Sequence, residues 1–346
     1  MKAVRLHAKG DLRVEEVTPP PAPPEGWVKL RVSHAGICGS DLHNWKTGQW
    51  ITRAPSIAGH EFTGTIVERG RGANAFGVGD RVAADSRFWC GECAACRGGA
   101  RQLSERLGFV GEACDGGFAE EVILPERLLH KVPAALDPQI AATAEPVAVA
   151  LHAVNRLRLR KGEPVLVVGC GPIGGFAAVV LKHFGFGPVL VVDRNAARAA
   201  LVARVTGAEV ASLDAGQRVS AAIDATGSVA ALHQTIGCLA GGGTLALGGI
   251  SHGKLDLDPN SLVERELSLI GCHAFADELP DAIALLPACQ EMIAPLLDRE
   301  ITLDEVPEAY ARLAAGETKG LKTLIRISSP PASSAGADLT SSKSRP

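Results

Sequence analysis

The chain has 346 residues, which at ~150 residues per domain suggests two domains. Hydrophobic residues make up 46% and charged residues 21%, enough apolar material for a substantial core, so wholesale disorder is excluded. Thirty-five Lys and Arg against thirty-eight Asp and Glu leave a formal net charge of -3; with no basic aromatic stripe, nucleic acid is excluded as an expected partner.

The first seventeen residues alternate charge and apolarity and lack the ~7–15 residue apolar run of a secretory signal. Neither the alanine-rich stretch 145–154 nor Val165–Val168 resembles an ~18-residue membrane span, so no membrane association is expected. Nine cysteines are too sparse for a small-protein disulfide framework, and free thiols suit a reducing cytoplasm.

From residue 1 to about 150, strand candidates at 28–32 and 62–67 are interrupted by prolines at 19–24 and by many glycines, the pattern of a mostly β domain with long loops. From about 151 the rhythm changes. A strand at Val165–Val168, a glycine turn and a helix at 172–182 are followed by strand Val189–Val192, helix Ala196–Thr206 and strands at Val219–Asp224 and 243–247. Such alternation predicts an α/β fold with a doubly wound parallel sheet. The rhythm stops near 271–274, and a helical region begins at 279–286. Residues 329–346, rich in Ser, Ala and Pro, hold almost nothing with which to fill a core and read as a disordered tail.

Gly169-Cys170-Gly171-Pro172-Ile173-Gly174 follows the first of these strands and opens the helix. Gly169 permits the tight turn, Gly171 leaves room for a pyrophosphate and Gly174 lets helix and sheet pack closely, while the helix N-terminal amides attract the anion. Asp193 ends the next strand about twenty residues on, where a carboxylate accepts both adenosine ribose hydroxyls and repels a 2'-phosphate; this favours NAD over NADP. Arg194 and Arg198 leave the choice open, since they either approach a 2'-phosphate or stand in solvent. Thr226, in Asp224-Ala-Thr226-Gly227, either lines the cofactor crevice or belongs to an ordinary turn at a strand end.

Cys38-Gly-Ser40-Asp-Leu-His43 and Gly59-His60-Glu61 place a thiolate, imidazoles and carboxylates in two glycine-bearing segments, and zinc accepts all three ligand types. Taken singly, each segment equally describes a buried cysteine or a histidine satisfied by a carbonyl. Together with 37–43, 59–64, Val78-Gly-Asp-Arg-Val82, Asp115-Gly-Gly-Phe-Ala-Glu120, Ala144-Glu145-Pro146 and the Gly169 fingerprint, however, the chain resembles the zinc-dependent medium-chain dehydrogenase/reductase family, in particular its polyol and threonine dehydrogenase branch.

The resemblance implies a GroES-like, mostly β catalytic domain formed by residues 1–150 and 274–328, and a Rossmann NAD-binding domain at 151–273. It implies Cys38, His60 and Glu145 as ligands of a catalytic Zn2+, with Glu61 beside the metal and able to exchange with water or substrate. Ser40 and His43 would carry the substrate proton to solvent, consistent with a hydroxyl that both donates and accepts and an imidazole that exchanges protons near neutrality. It further implies a secondary alcohol or ketone as substrate, a polyol or a related hydroxylated compound, and a homo-oligomer, with a tetramer favoured over a dimer. A threonine-type or simple secondary-alcohol dehydrogenase is the alternative enzyme; a noncatalytic nucleotide- and zinc-binding protein is the alternative outside enzymes.

Cys90, Cys93 and Cys96 resemble the start of the family's structural-zinc lobe, but the fourth cysteine is replaced by Ser104. Three thiolates completed by water or Ser104, a vacant lobe, or recruitment of Cys114 all remain open. Cys170, Cys238, Cys272 and Cys289 read as packing residues. Trp45, Trp50 and Phe109 line either the substrate pocket or the core, and His152 and His273 either approach the cleft or pack.

Overall fold

The structure, a computed structural model, describes residues 1–213 and 216–328; the expected tail at 329–346 lies outside the described residues. In the first body, strand Trp27–Gly36 is the organising element. It pairs antiparallel with Glu61–Arg69, Glu121–Pro125 and Lys322–Arg326, and Arg81–Ala84 and Leu129–Lys131 continue the sheet beyond Glu61–Arg69. Leu297–Ile301 adds parallel to Lys322–Arg326 at the other edge. The last described strands thus complete the sheet that the first ones begin. A hairpin of Lys2–Ala8 and Asp11–Glu16 flanks it, and Val28, Leu30, Phe62, Phe118, Leu124, Tyr310 and Ile325 fill the core.

Strand Trp27–Gly36 outruns the alternating segment 28–32 for a physical reason. Its second half, from Val32 to Gly36, is buried throughout and includes polar residues. Ser33 Oγ donates to the Thr63 carbonyl, and His34 Nε2 lies 3.2 Å from Glu300 Oε1, so burial there leaves no period-two signature.

The second body is a six-stranded, wholly parallel sheet of Val165–Val168, Val189–Val192, Glu209–Val210, Val219–Asp224, Leu239–Leu247 and Ser268–Gly271. Numbered along the chain, the strands lie in the order 3-2-1-4-5-6, a Rossmann arrangement whose switch point falls between Val165–Val168 and Val219–Asp224. The fifth strand begins at Leu239, four residues before the predicted 243, because Leu239 already pairs with Val219.

Helix Ala144–Asn155 runs through the expected junction at residue 150. Its Val147 and Leu151 share one packed cluster with Phe176 of helix Pro172–His183 and with Leu286 of helix Leu279–Ile293. The segment after Gly271 is tied to the first body. Arg87, buried and in a bidentate pair with Asp85, donates to the Phe275 carbonyl and lies 4.1 Å above the Phe275 ring. Arg101 pairs with Asp277, and His273 Nδ1 lies 3.1 Å from the Gln102 carbonyl. Among the described residues, no helix is long and apolar enough to cross a membrane.

Candidate metal centre and cofactor cleft

Cys38 caps helix Gly39–Thr47, and Asp41 at its third position accepts the Cys38 amide at 2.9 Å through Oδ2. The other oxygen of Asp41 lies 3.4 Å from His60 Nδ1, while His60 Nε2 lies 3.5 Å from Ser40 Oγ. Gly59 sets the approach of His60, for it has φ +94°, and a Cβ there would sit 2.2 Å from the Phe118 ring.

The Cys38 thiol, a His60 ring nitrogen and a Glu61 carboxylate oxygen all lie within 4.8 Å of one another. Burial disfavours a charged His60, but the neighbouring Asp41 and Cys38 outweigh it and hold its pKa well above the usual imidazole range. Such a concentration of negative charge suits a dication. The donor set fits zinc, and the Asp41 carboxylate behind His60 Nδ1 is the outer partner that orients a ligating imidazole.

Glu61 and Glu145 differ in what holds them. Lys322 Nζ donates to both oxygens of Glu61 at 2.7 Å and to the Ile37 carbonyl at 3.0 Å. Burial alone would lower the Lys322 pKa; Glu61, opposing it, leaves the group raised. Glu145, in the first turn of Ala144–Asn155, accepts a 2.6 Å hydrogen bond from Ser86 Oγ, and burial pushes its carboxyl up to about 7 against the pull of His60. Glu145, named by the resemblance as third ligand, lies outside the set of mutually close ligand atoms, and Glu61, expected to be exchangeable, is pinned.

Ser40 and His43 lie one turn apart on helix Gly39–Thr47. His43 Nε2 is 3.0 Å from Gln49 Oε1 and 3.2 Å from Thr47 Oγ1. Its ring is flanked by Trp50 at 4.6 Å and stacked at 4.3 Å, within 8° of parallel, on His252, which follows the fifth strand of the other body. Trp45 instead packs edge-on against Tyr310 in the core, and Phe109 packs edge-on against His273. His152 pairs with Glu278 at 2.9 Å, both buried, and so braces two helices. Lys322, Ser86, Asp41 and His252 escaped the sequence reading. Only Asp41 had a local signal, its place three residues after a helix-capping Cys38.

In the nucleotide turn, Gly169 has φ +94°, and a Cβ on Gly174 would lie 1.8 Å from the Gly169 carbonyl oxygen. A Cβ on Gly171 would meet no atom within 4 Å, so backbone stands exposed where a pyrophosphate is expected, at the start of helix Pro172–His183. Asp193 accepts the amides of Cys170 at 2.6 Å and Asn195 at 2.7 Å. Arg194 is exposed, whereas Arg198 is held by Thr318 at 2.8 Å. Thr226 Oγ1 donates to Asp224 at 2.6 Å and accepts the Ser228 amide. The turn fits a dinucleotide.

The thiols of Cys90, Cys93 and Cys96 also lie within 4.8 Å of one another. Ser104 Oγ is 3.4 Å from Cys90 Sγ and 3.9 Å from Cys93 Sγ, and its hydrogen bond is the main cause that lowers the Cys90 pKa to about 6. Cys114 is not in the cluster; burial pushes its thiol up to about 11.

The family described as "Alcohol dehydrogenase GroES-like domain" matches residues 24–134, and that described as "Zinc-binding dehydrogenase" matches residues 172–288. The sorbitol dehydrogenase of Halalkalibacterium halodurans is 33% identical over 337 residues, covering 92% of this chain and 96% of the relative. Among solved structures, the 2R,3R-butanediol dehydrogenase of Bacillus subtilis superposes with a TM-score of 0.86 at 31% identity, covering 94% of this chain and 99% of that one. An Escherichia coli CFT073 alcohol dehydrogenase complexed with NADH gives 0.87 at 27% identity, with 94% and 99% covered. The chain belongs to the zinc-binding medium-chain dehydrogenase/reductase family, related to the sorbitol and butanediol dehydrogenases. It is an NAD(H)-dependent dehydrogenase.

Proposed function

We propose that the protein oxidises a secondary alcohol, a polyol or a related hydroxylated compound, to a ketone, with NAD as hydride acceptor and zinc held by Cys38, His60 and Glu145. The observation that carries this reading is the cluster of Cys38, His60 and Glu61 ligand atoms with Asp41 fixed behind His60; Glu145, held by Ser86, is the third ligand that the family resemblance assigns. Bound there, zinc supplies Lewis-acid polarisation of the substrate hydroxyl. Ser40 Oγ, 3.5 Å from His60 Nε2, accepts the hydroxyl proton and passes it outward; His43, one turn on, releases it to solvent through Nε2. Lys322 Nζ donates to both oxygens of Glu61 and holds that carboxylate in place. Asp193 and the Gly169–Gly174 turn hold the dinucleotide, with Arg194 exposed beside them. The same reading makes the protein a cytoplasmic homo-oligomer, a tetramer rather than a dimer, which a solution mass measurement checks.

The test is a steady-state panel of sugar alcohols, vicinal diols, amino alcohols and simple secondary alcohols, each with NAD and with NADP. Polyols or diols should give the highest kcat/KM, with NAD strongly preferred. Turnover confined to amino alcohols moves the substrate class to the threonine type, and no turnover by zinc-loaded, NAD-binding protein overturns the reading.

A further inference from the structure

The cysteine lobe does not fit the closed four-thiolate site that the family resemblance implies. Structural zinc sites close a tetrahedron with strong sulfur or nitrogen donors, and the place beside Cys90 and Cys93 is taken by the neutral hydroxyl of Ser104. The three thiols are not equivalent. Cys93 caps the short helix Ala94–Arg97 and accepts the Cys96 amide at 3.5 Å. Cys90 and Cys96 face each other across 3.9 Å, Cys90 half-exposed and Cys96 9% exposed. An S–S bond is about 2.05 Å, so closing the gap takes about 2 Å of movement in a loop that contains Gly91 and a single helical turn.

We propose that Cys90 and Cys96 are an oxidisable pair that forms a disulfide on exposure to a hydroperoxide, and that Ser104 leaves this pair unprotected. In the first step the Cys90 sulfur attacks one oxygen of hydrogen peroxide. The O–O bond breaks, Cys90 becomes a sulfenic acid, and the other oxygen leaves as water with the thiol proton. In the second step the Cys96 sulfur attacks the Cys90 sulfur; the S–O bond breaks and the hydroxide leaves with the Cys96 proton as a second water. Two thiols are oxidised, one peroxide is reduced to two waters, and Cys93 stays a thiol.

The full chain, zinc-loaded, is treated with hydrogen peroxide, denatured, alkylated and digested with trypsin, which frees residues 88–97 as one peptide carrying all three cysteines. The expected peptide has lost two hydrogens, carries one alkyl group on Cys93 and regains all three alkylation sites after reduction with dithiothreitol. Three alkylated cysteines after peroxide, or an alkyl group on Cys90 or Cys96 in the oxidised peptide, overturns the pair. Ser104→Cys tests the hydroxyl. A fourth thiolate should raise zinc toward two ions per chain and slow disulfide formation by about tenfold or more in the presence of zinc. A variant that gains the zinc and oxidises as fast as the natural chain overturns the role assigned to Ser104.

Discussion

Lys322 Nζ sits 2.7 Å from both carboxylate oxygens of Glu61, a residue 261 positions earlier, and each side chain is 1% exposed. The pair joins the last strand of the first body's sheet to the residue beside a candidate zinc ligand, so one ion pair serves both the fold and the charge balance of the site. Lys322→Met leaves a buried carboxylate without its partner and should cost about 3–5 kcal/mol. Adding Glu61→Leu should recover most of that loss. Urea unfolding of the two variants checks it, and a double variant no more stable than Lys322→Met alone would show that the pair is not what the single variant loses.

The carboxylate proposed as third zinc ligand can be told from its neighbour by metal content. After dialysis against a weak chelator, Glu145→Ala should lose the zinc that Cys38 and His60 retain in the natural protein, whereas Glu61→Gln should keep it. Elemental analysis of both variants decides. The opposite pattern would transfer the role to Glu61, the carboxylate the structure places closer to the cysteine and histidine.

Asp41 grips the centre twice, through the Cys38 amide and through His60 Nδ1. Asp41→Asn should weaken zinc binding roughly 10–100-fold, the usual effect of removing an outer partner of a ligating histidine. A competitive chelator titration gives the affinity. An unchanged affinity would mean that the cluster orients itself without the carboxylate.

Two glycines of one turn should respond differently to the same methyl group. At Gly171 a Cβ meets no protein atom, so Gly171→Ala should leave stability unchanged or slightly higher while lowering NAD affinity on the order of tenfold. At Gly174 the Cβ would lie 1.8 Å from the Gly169 carbonyl oxygen, and Gly174→Ala should lower stability as well. Thermal melts with and without NAD separate the two effects.

Burial works against the charge of Glu278, but its hydrogen bond and attraction to His152 win and hold the carboxyl below the 4.5 of a free glutamate. A carboxyl depressed in the folded state stabilises it above about pH 4.5, and that contribution is lost as pH falls through the folded value. Glu278→Gln should therefore cost about 1–3 kcal/mol at pH 7 and flatten the decline in stability on the acid side. Urea midpoints measured from pH 7 down to pH 3 test the slope; a parallel decline in both proteins counts against it.

Features carried by a few consecutive residues were legible in the sequence. Gly169 to Gly174 needs only its own backbone and the strand before it, and Cys38, Ser40 and His43 share one helical turn and a half. The parallel sheet was readable too, because strands such as Val165–Val168 are apolar on both faces. What escaped were partners chosen by tertiary pairing. Lys322 meets Glu61 because both flanking strands pair with Trp27–Gly36, a register that no local pattern encodes. Ser86 reaches Glu145 from a loop, and His252 meets His43 only where the two bodies touch. Trp45 was open between pocket and core, because the neighbour that places it in the core, Tyr310, lies 265 positions away.

Because Lys322–Arg326 pairs directly with the central strand Trp27–Gly36, the first body cannot be completed in the order in which a ribosome delivers it. During synthesis, the edge of Trp27–Gly36 that will receive Lys322–Arg326 must wait while the whole parallel sheet emerges and folds. Glu61 waits with it for its cation. A nascent chain stalled before residue 322 would thus carry an unsealed sheet edge and a Glu61 carboxylate without its Lys322 partner, beside Cys38 and His60.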